Sequence, residues 1–218
     1  DNGYEIPKTM EELISLTEKM AKDGNTPWCI GLGSGDATGW PGTDWMEDIM
    51  LRTHDPSVYD KWVTNEMPFN DPKVIEAMDF FGSFARNESY VDGGSKGVAT
   101  TDFRDSPKGL FTSPAKCMMH RQASFIPAFF PEGLKAGDDY NFFYFPSYST
   151  KDLGNPVLGG GTLFAITKDS PATREFMNYL KHPQSNHIWM EIEGSGFLNP
   201  HKGIDLSKHS SDTFRGLN

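Results

Sequence analysis

Two stretches of the sequence place aromatic rings beside short polar groups. Thr38, Trp40 and Trp45 follow the apolar run Trp28-Cys29-Ile30, and Arg121, Gln122, Ser124, Phe125, Phe129 and Phe130 follow a second run, Lys116 to His120. A pyranose has a C–H face that packs on a ring and a rim of hydroxyls that pairs with carboxylate, amide and guanidinium groups, so a selective sugar site needs both kinds of surface. The same rings also suit a core, because aromatics dominate core burial generally.

Other chemistries fit less well. The run Gly31-Leu32-Gly33-Ser34-Gly35 invites a nucleotide reading, but the dinucleotide fingerprint fails: begun at Gly31 it ends on Asp36, and begun at Gly33 it ends on Thr38. Ser34 lacks the G-x-S-x-G elbow of hydrolases, since position 32 is Leu. Cys117-Met118-Met119-His120 supplies one Cys and one His without a matching pair, and His182 and His187 are ordinary histidines by ligand count, so no metal is expected. Asp36, Asp44, Glu47 and Asp48 offer carboxylates for glycoside cleavage, although three of them more simply decorate the helix around Trp45, and the carboxylate separation that decides such chemistry is not visible in sequence. A carbohydrate hydrolase using two of Asp36, Asp44, Asp102 and Asp105 therefore stands as the alternative to a binding protein, and a partner-binding domain as a third reading.

With 218 residues, 37% of them hydrophobic, the chain can fill a globular core. A formal net charge of -10 argues against nucleic acid or an anionic membrane as partner, since both attract clustered Lys and Arg. No stretch approaches the roughly 20 apolar residues needed to span a bilayer, and the opening Asp1-Asn2-Gly3-Tyr4 lacks the pattern of a signal peptide. A soluble, non-spanning chain is expected. Cys29 and Cys117 permit one bridge in an oxidising compartment or two buried thiols in a reducing one.

The elements that would position these residues follow from caps and periodicity. Thr9 and Glu12 form a capping box before Met10, Leu13, Ile14 and Met20, which predicts a helix from Thr9 to Lys22. Asp71 and Pro72 open a second, with Val74, Ile75, Met78, Phe81 and Phe84 on its inner face. Ser170-Pro171 opens a third carrying Phe176, Met177 and Leu180, and Pro183 a fourth ending at Gly194. Trp28-Cys29-Ile30, Lys116 to His120, Asn141 to Pro146 and Gly161 to Ile166 read as strands, and Gly93 to Thr101 as a surface loop. Alternating strands and helices give an α/β fold.

The order of motifs resembles the extracellular sugar-binding proteins of bacterial ABC importers, most closely the α-glucoside type. It runs through Tyr4-Glu5-Ile6-Pro7-Lys8-Thr9, Pro27-Trp28-Cys29-Ile30-Gly31 with Gly39-Trp40-Pro41, and Thr101-Asp102-Phe103-Arg104-Asp105-Ser106. It continues in Cys117-Met118-Met119-His120-Arg121-Gln122, Gly160-Gly161-Thr162-Leu163-Phe164-Ala165-Ile166 and Gly196-Phe197-Leu198-Asn199-Pro200.

The resemblance implies a periplasmic-binding-protein type II-like α/β fold, of which this chain is similar to the C-terminal lobe with hinge and part of the first lobe. Residues 1–155 would form that second lobe, 156–182 a crossover packing on the missing first lobe, and 183–218 helices and loops returning to the second. The family's ligand loop maps onto Asp36, Thr38, Gly39 and Trp40, with Trp40 the stacking ring. His120, Arg121 and Gln122 would form another ligand-facing segment, Arg121 donating two hydrogen bonds to adjacent hydroxyls, with Phe125 adding an apolar face. Gly160, Gly161 and Thr162 sit where the chain returns toward the first lobe, and Phe197 and Asn199 are lesser candidates. A Cys29–Cys117 disulfide is implied as well. So are a periplasmic location, a sugar ligand such as trehalose, sucrose or maltose, ABC permease subunits as partners, no cofactor, and self-association of the chain through exposed apolar surface.

Overall fold

A computed structural model of the protein describes residues 3–217; Asp1 and Asn2 of the opening stretch, and Asn218, lie outside the described residues. The chain divides into two compact units, one of residues 1–122 with 143–159, the other of 123–142 with 160–218.

In the first unit, α1 (Met10–Lys22) begins where Thr9 Oγ1 accepts from the Glu12 amide at 3.2 Å. The Glu12 carboxylate reaches back one residue further than expected, accepting from the Lys8 amide at 2.6 Å. Met10, Leu13, Thr17 and Met20 form its buried face. Thr17 is tolerated there because its hydroxyl donates to the Leu13 carbonyl at 2.9 Å and accepts from the Trp28 indole N–H at 3.1 Å.

After a turn come α2 (Trp40–Thr53), α3 (Pro56–Val63) and α4 (Pro72–Ala85), with α2 packed on both others. Asp71 caps α4 as expected, accepting from the Lys73 amide at 2.9 Å. Its inner stripe is Val74, Ala77 and Phe84, with Phe81 partly covered, whereas Ile75 and Met78 remain 45% and 43% exposed. A step of 100° per residue turns those two onto the flank, which corrects the broader face read from sequence. Trp45 is also core: its ring lies 5.3 Å from Trp28, 5.5 Å from Phe81 and 5.5 Å from Phe145.

The expected strands are the main departure. Trp28 makes parallel bridges to Val91 and Met119, and Gly33 one to Asp102, but none extends into a ladder. Asn141 to Pro146 and Gly161 to Ile166 have no regular structure and make no bridge, and Leu163 is 94% exposed. Among the described residues the architecture is thus helices around isolated bridges, and an α/β description holds only in part. A second correction concerns residues 93–101, which form not a surface loop but α5 (Gly94–Thr100), with Gly94 and Val98 buried. Gly93 and Gly94, at φ 72° and 65°, turn the chain into it.

Cys29 and Cys117 are joined by a disulfide across 88 residues of sequence, with Cα atoms 5.4 Å apart. Next to it His120 Nδ1 lies 2.7 Å from the Cys29 carbonyl, so the neutral ring donates there and leaves Nε2 enclosed without a partner. Loss of hydration holds this imidazole down at about 4, the nearby Arg121 charge adding to the shift and the Cys29 carbonyl opposing it.

The second unit has a smaller core of Ile126, Met190 and Phe214. It carries α6 (Pro171–Leu180), capped by Ser170 accepting from the Thr173 amide at 3.1 Å, then α7 (His187–Glu191) and α8 (Asp212–Leu217). The single helix expected from Pro183 to Gly194 is instead a 3-10 turn, Pro183–Asn186, followed by the short α7. Phe176 on α6 is exposed rather than buried. Gly196, at φ 60°, is obligatory, because a Cβ there would overlap the Ser124 carbonyl.

Two outcomes are expected. Denatured, unreduced protein should show no free thiol, and Cys29→Ser with Cys117→Ser should lower unfolding stability by about 2–5 kcal/mol in denaturant titrations. Because the folded His120 pKa lies below the unfolded value, stability is complete above pH 6.5 and falls as pH drops toward about 4, by up to about 3 kcal/mol. His120→Asn should remove that part of the pH dependence.

Candidate functional site

The glycines at 31 and 33 serve close packing. A Cβ on Gly31 would come within 2.7 Å of the Thr101 carbonyl and 2.8 Å of Ser106 Cβ, and one on Gly33 within 3.0 Å of the Thr101 carbonyl. Segment 101–106 can therefore lie directly on the loop, fixed by the Gly33 amide to Thr101 O at 2.9 Å and the Phe103 amide to Gly33 O at 2.8 Å.

The loop then makes a 3-10 turn at Gly35–Ala37, with exposed Asp36 at its apex. Thr38 closes that turn: its Oγ1 donates to Gly35 O at 2.7 Å and accepts from the Ser34 amide at 3.0 Å. Gly39, at φ 107°, reverses the chain into α2. Trp40 is the first residue of that helix, half-buried, with its ring 5.1 Å from Phe103 in an edge-to-face contact.

Eight residues further along α2, about 12 Å by helical rise, lies buried Asp48. Its Oδ1 accepts from Arg52 Nη1 at 2.7 Å, and its Oδ2 accepts from both Nε, at 2.8 Å, and Nη2 of Arg121. Arg52 completes its bonding on the carbonyls of Phe145 at 2.9 Å, Pro156 at 3.2 Å and Asp48 itself at 3.1 Å. The fork of Arg121 expected to face two hydroxyls is thus spent on Asp48, and only the enclosed Nη1 lacks a partner. The change follows from burial, since an enclosed carboxylate recruits cationic donors.

The remaining carboxylates divide by environment. Burial, with Glu47 and Asp48 nearby, pushes Asp44 up against the opposing pull of Arg121. Glu47 accepts from the Tyr59 hydroxyl at 2.8 Å, and burial together with that bond raises Tyr59 to about 12. Arg104 grips Asp102 through Nε and Nη2 at 2.8 and 2.9 Å and holds it down at about 2. Asp105 accepts from Lys108 Nζ at 2.7 Å.

The structure thus gathers Asp36, Thr38, Gly39 and Trp40 on one loop and keeps Arg121 and Gln122 in the same unit. Phe125, Gly160, Gly161 and Thr162 belong to the other. There Phe125 packs edge-on against Phe129 at 6.4 Å, and the positions a Cβ would take on Gly160 and Gly161 face open space. Asn199 is buried and structural, donating to Pro183 O at 3.2 Å and accepting from the His201 amide at 3.0 Å, while Phe197 packs on Trp189 at 4.9 Å. Sequence reasoning missed Phe103 and the Asp48–Arg121 pair. The spacing of Asp48 and Arg52 was a readable signal, being that of a helical ion pair. Among the described residues no group of three or more His, Cys, Asp or Glu is placed to hold a metal ion, and no helix is long and apolar enough to cross a membrane.

The chain is 60% identical over 212 residues to the alpha-glucosides-binding periplasmic protein AglE of Rhizobium meliloti, covering 97% of this chain and 46% of that protein. It is 44% identical over 206 residues to the osmoprotective compounds-binding protein GgtB of Synechocystis, covering 94% and 48%. The chain spans about half the length of these curated relatives. A solved structure, the bacterial solute receptor AcbH described as having an exclusive substrate preference for β-D-galactopyranose, superposes with a TM-score of 0.53 at 29% identity. That match covers 67% of this chain and 34% of the receptor. Residues 2–213 match the model of the bacterial extracellular solute-binding proteins, and the chain belongs to that family.

Proposed function

We propose that this chain is the substrate-binding component of an ABC importer, or the second lobe of it with the hinge and part of the first, capturing a carbohydrate in the periplasm and delivering it to the membrane permease. The supporting observation is the loop Gly31 to Trp40. It presents Trp40 from a backbone fixed on both sides, with Asp36 at its apex, which is the pairing of ring and polar rim that a pyranose needs. An α-glucoside such as trehalose, sucrose or maltose is the proposed ligand, in keeping with what AglE is named for.

Asp36, Thr38, Gly39, Trp40, Arg121 and Gln122 in the first unit, and Phe125, Gly160, Gly161 and Thr162 in the second, are each proposed to contact ligand. Thr38 acts by shaping the loop, and Arg121 would turn to ligand hydroxyls only by giving up part of its hold on Asp48. At Gly160 and Gly161 neither a positive φ nor a crowded Cβ position asks for glycine, so approach of a ligand or a further lobe is the proposed reason for their small size. The proposed organisation is the type II α/β arrangement, with 1–155 as the second lobe, 156–182 as a crossover onto a first lobe, and 183–218 returning. The exposed Val157, Leu163, Phe164, Ile166, Phe176 and Tyr179 support such a crossover, and in its absence self-association through the same side chains.

Binding without catalysis is the reading favoured here. Hydrolysis has one observation on its side, the raised Asp44, but Asp48 beside it is neutralised by two guanidiniums and Asp102 and Asp105 are each tied to a basic neighbour.

Trp40→Ala should weaken α-glucoside affinity roughly tenfold, about 1.4 kcal/mol, in calorimetric titrations of the whole protein. An unchanged affinity would remove Trp40 from the site. Prolonged incubation with maltose or sucrose should leave the sugar intact by chromatography; released glucose that Asp44→Asn abolishes would establish the hydrolase instead.

A further inference from the structure

Trp40 stands where a turn passes into a helix. It follows Gly39 at φ 107° and opens α2, so its ring is launched from the end of a helix rather than from the middle of a packed face. A ring that must be immobilised when a ligand arrives weakens binding, whereas a ring already fixed does not. Something has to hold it.

Segment 101–106 supplies that support. Gly33 and Asp102 form a parallel bridge, and the Phe103 amide donates to Gly33 O at 2.8 Å, so Phe103 is registered on the loop that carries Trp40. The Trp40 and Phe103 rings meet at 5.1 Å and 69°, an edge-to-face geometry that fixes one ring plane against the other. The Arg104 guanidinium sits over the Phe103 ring at 5.5 Å. Arg104 is held there by Asp102, through Nε at 2.8 Å and Nη2 at 2.9 Å, and its own amide donates to Asp102 Oδ1 at 2.9 Å. With Asp102 held down at about 2, the clamp stays ionised across the neutral range.

We infer that Phe103 is a positioning residue that fixes the Trp40 ring for ligand contact, with the Asp102–Arg104 pair steadying Phe103 in turn. The inference rests on the carbohydrate-binding reading for its functional consequence, but its structural half can be measured without any ligand.

The experiment compares the whole protein with its Phe103→Ala, Phe103→Tyr and Asp102→Asn variants, each paired with a Trp40→Phe version. The chain has five tryptophans, so subtracting the Trp40→Phe signal isolates the Trp40 contribution. Time-resolved fluorescence anisotropy of that contribution, without sugar, should show a restricted ring in the parent and faster decay in Phe103→Ala. Asp102→Asn should shift it in the same direction by less, and Phe103→Tyr should restore the parent value. Titration with trehalose, sucrose and maltose should show Phe103→Ala binding roughly five- to tenfold more weakly. An unchanged Trp40 anisotropy in Phe103→Ala, or an affinity within twofold of the parent, overturns the inference. A parent protein that binds no sugar overturns the carbohydrate reading instead, and the anisotropy comparison still decides the role of Phe103. If Phe103→Ala does not fold, Asp102→Asn and Phe103→Leu carry the same two readouts.

Discussion

A single enclosed carboxylate, that of Asp48, organises the first unit. It holds Arg52 from its own helix and Arg121 from a segment 73 residues away, and Arg52 reaches on to the carbonyls of Phe145 and Pro156. Removing one partner from such a buried arrangement typically costs about 3–5 kcal/mol, because the charges left behind have no water to turn to. The arrangement therefore locates α2 relative to residues 121, 145 and 156 far more sharply than apolar contact alone would. Trp40 is the first residue of that same helix, so the position of the proposed site is inherited from a charge cluster two turns away.

At the other end of α2 the constraint is steric. Gly31 and Gly33 have no Cβ, which lets the Thr101 carbonyl approach, and that approach brings Phe103 to Trp40. The disulfide ties the start of the same loop, at Cys29, to Cys117, four residues before Arg121. Loop, helix and Arg121 segment are thus joined by three different kinds of bond. Such rigidity suits a receptor, in which side chains already in place leave little to be ordered when the ligand arrives.

How much of this was legible in the sequence depended on the range of the interaction. The caps at Thr9, Asp71 and Ser170 were readable because each is satisfied within three residues of chain. Strands were over-read: Trp28 to Ile30 and Lys116 to His120 meet only through isolated bridges, and an apolar extended run does not say whether a partner exists. Gly93 to Thr101 has the composition of a loop, while the two left-handed glycines and buried Val98 that make it helical are visible only in three dimensions. For Arg121 the sequence suggests ligand hydroxyls as partners, because Asp48, the carboxylate its fork meets, lies 73 residues away. Phe103 lay within a motif that marked the family, and its contact with Trp40 could not be inferred without the Gly33–Asp102 bridge. The identity of the family was legible from motif order, which depends on no single contact.

That this chain is part of a carbohydrate receptor is tested most directly by thermal unfolding of the whole protein against trehalose, sucrose, maltose, glucose, galactose and unrelated solutes. A ligand that binds only the folded state raises the midpoint by mass action. A saturable rise with an α-glucoside and none with galactose is the expected result. No rise with any sugar, or a rise confined to a solute that is not a carbohydrate, would contradict it.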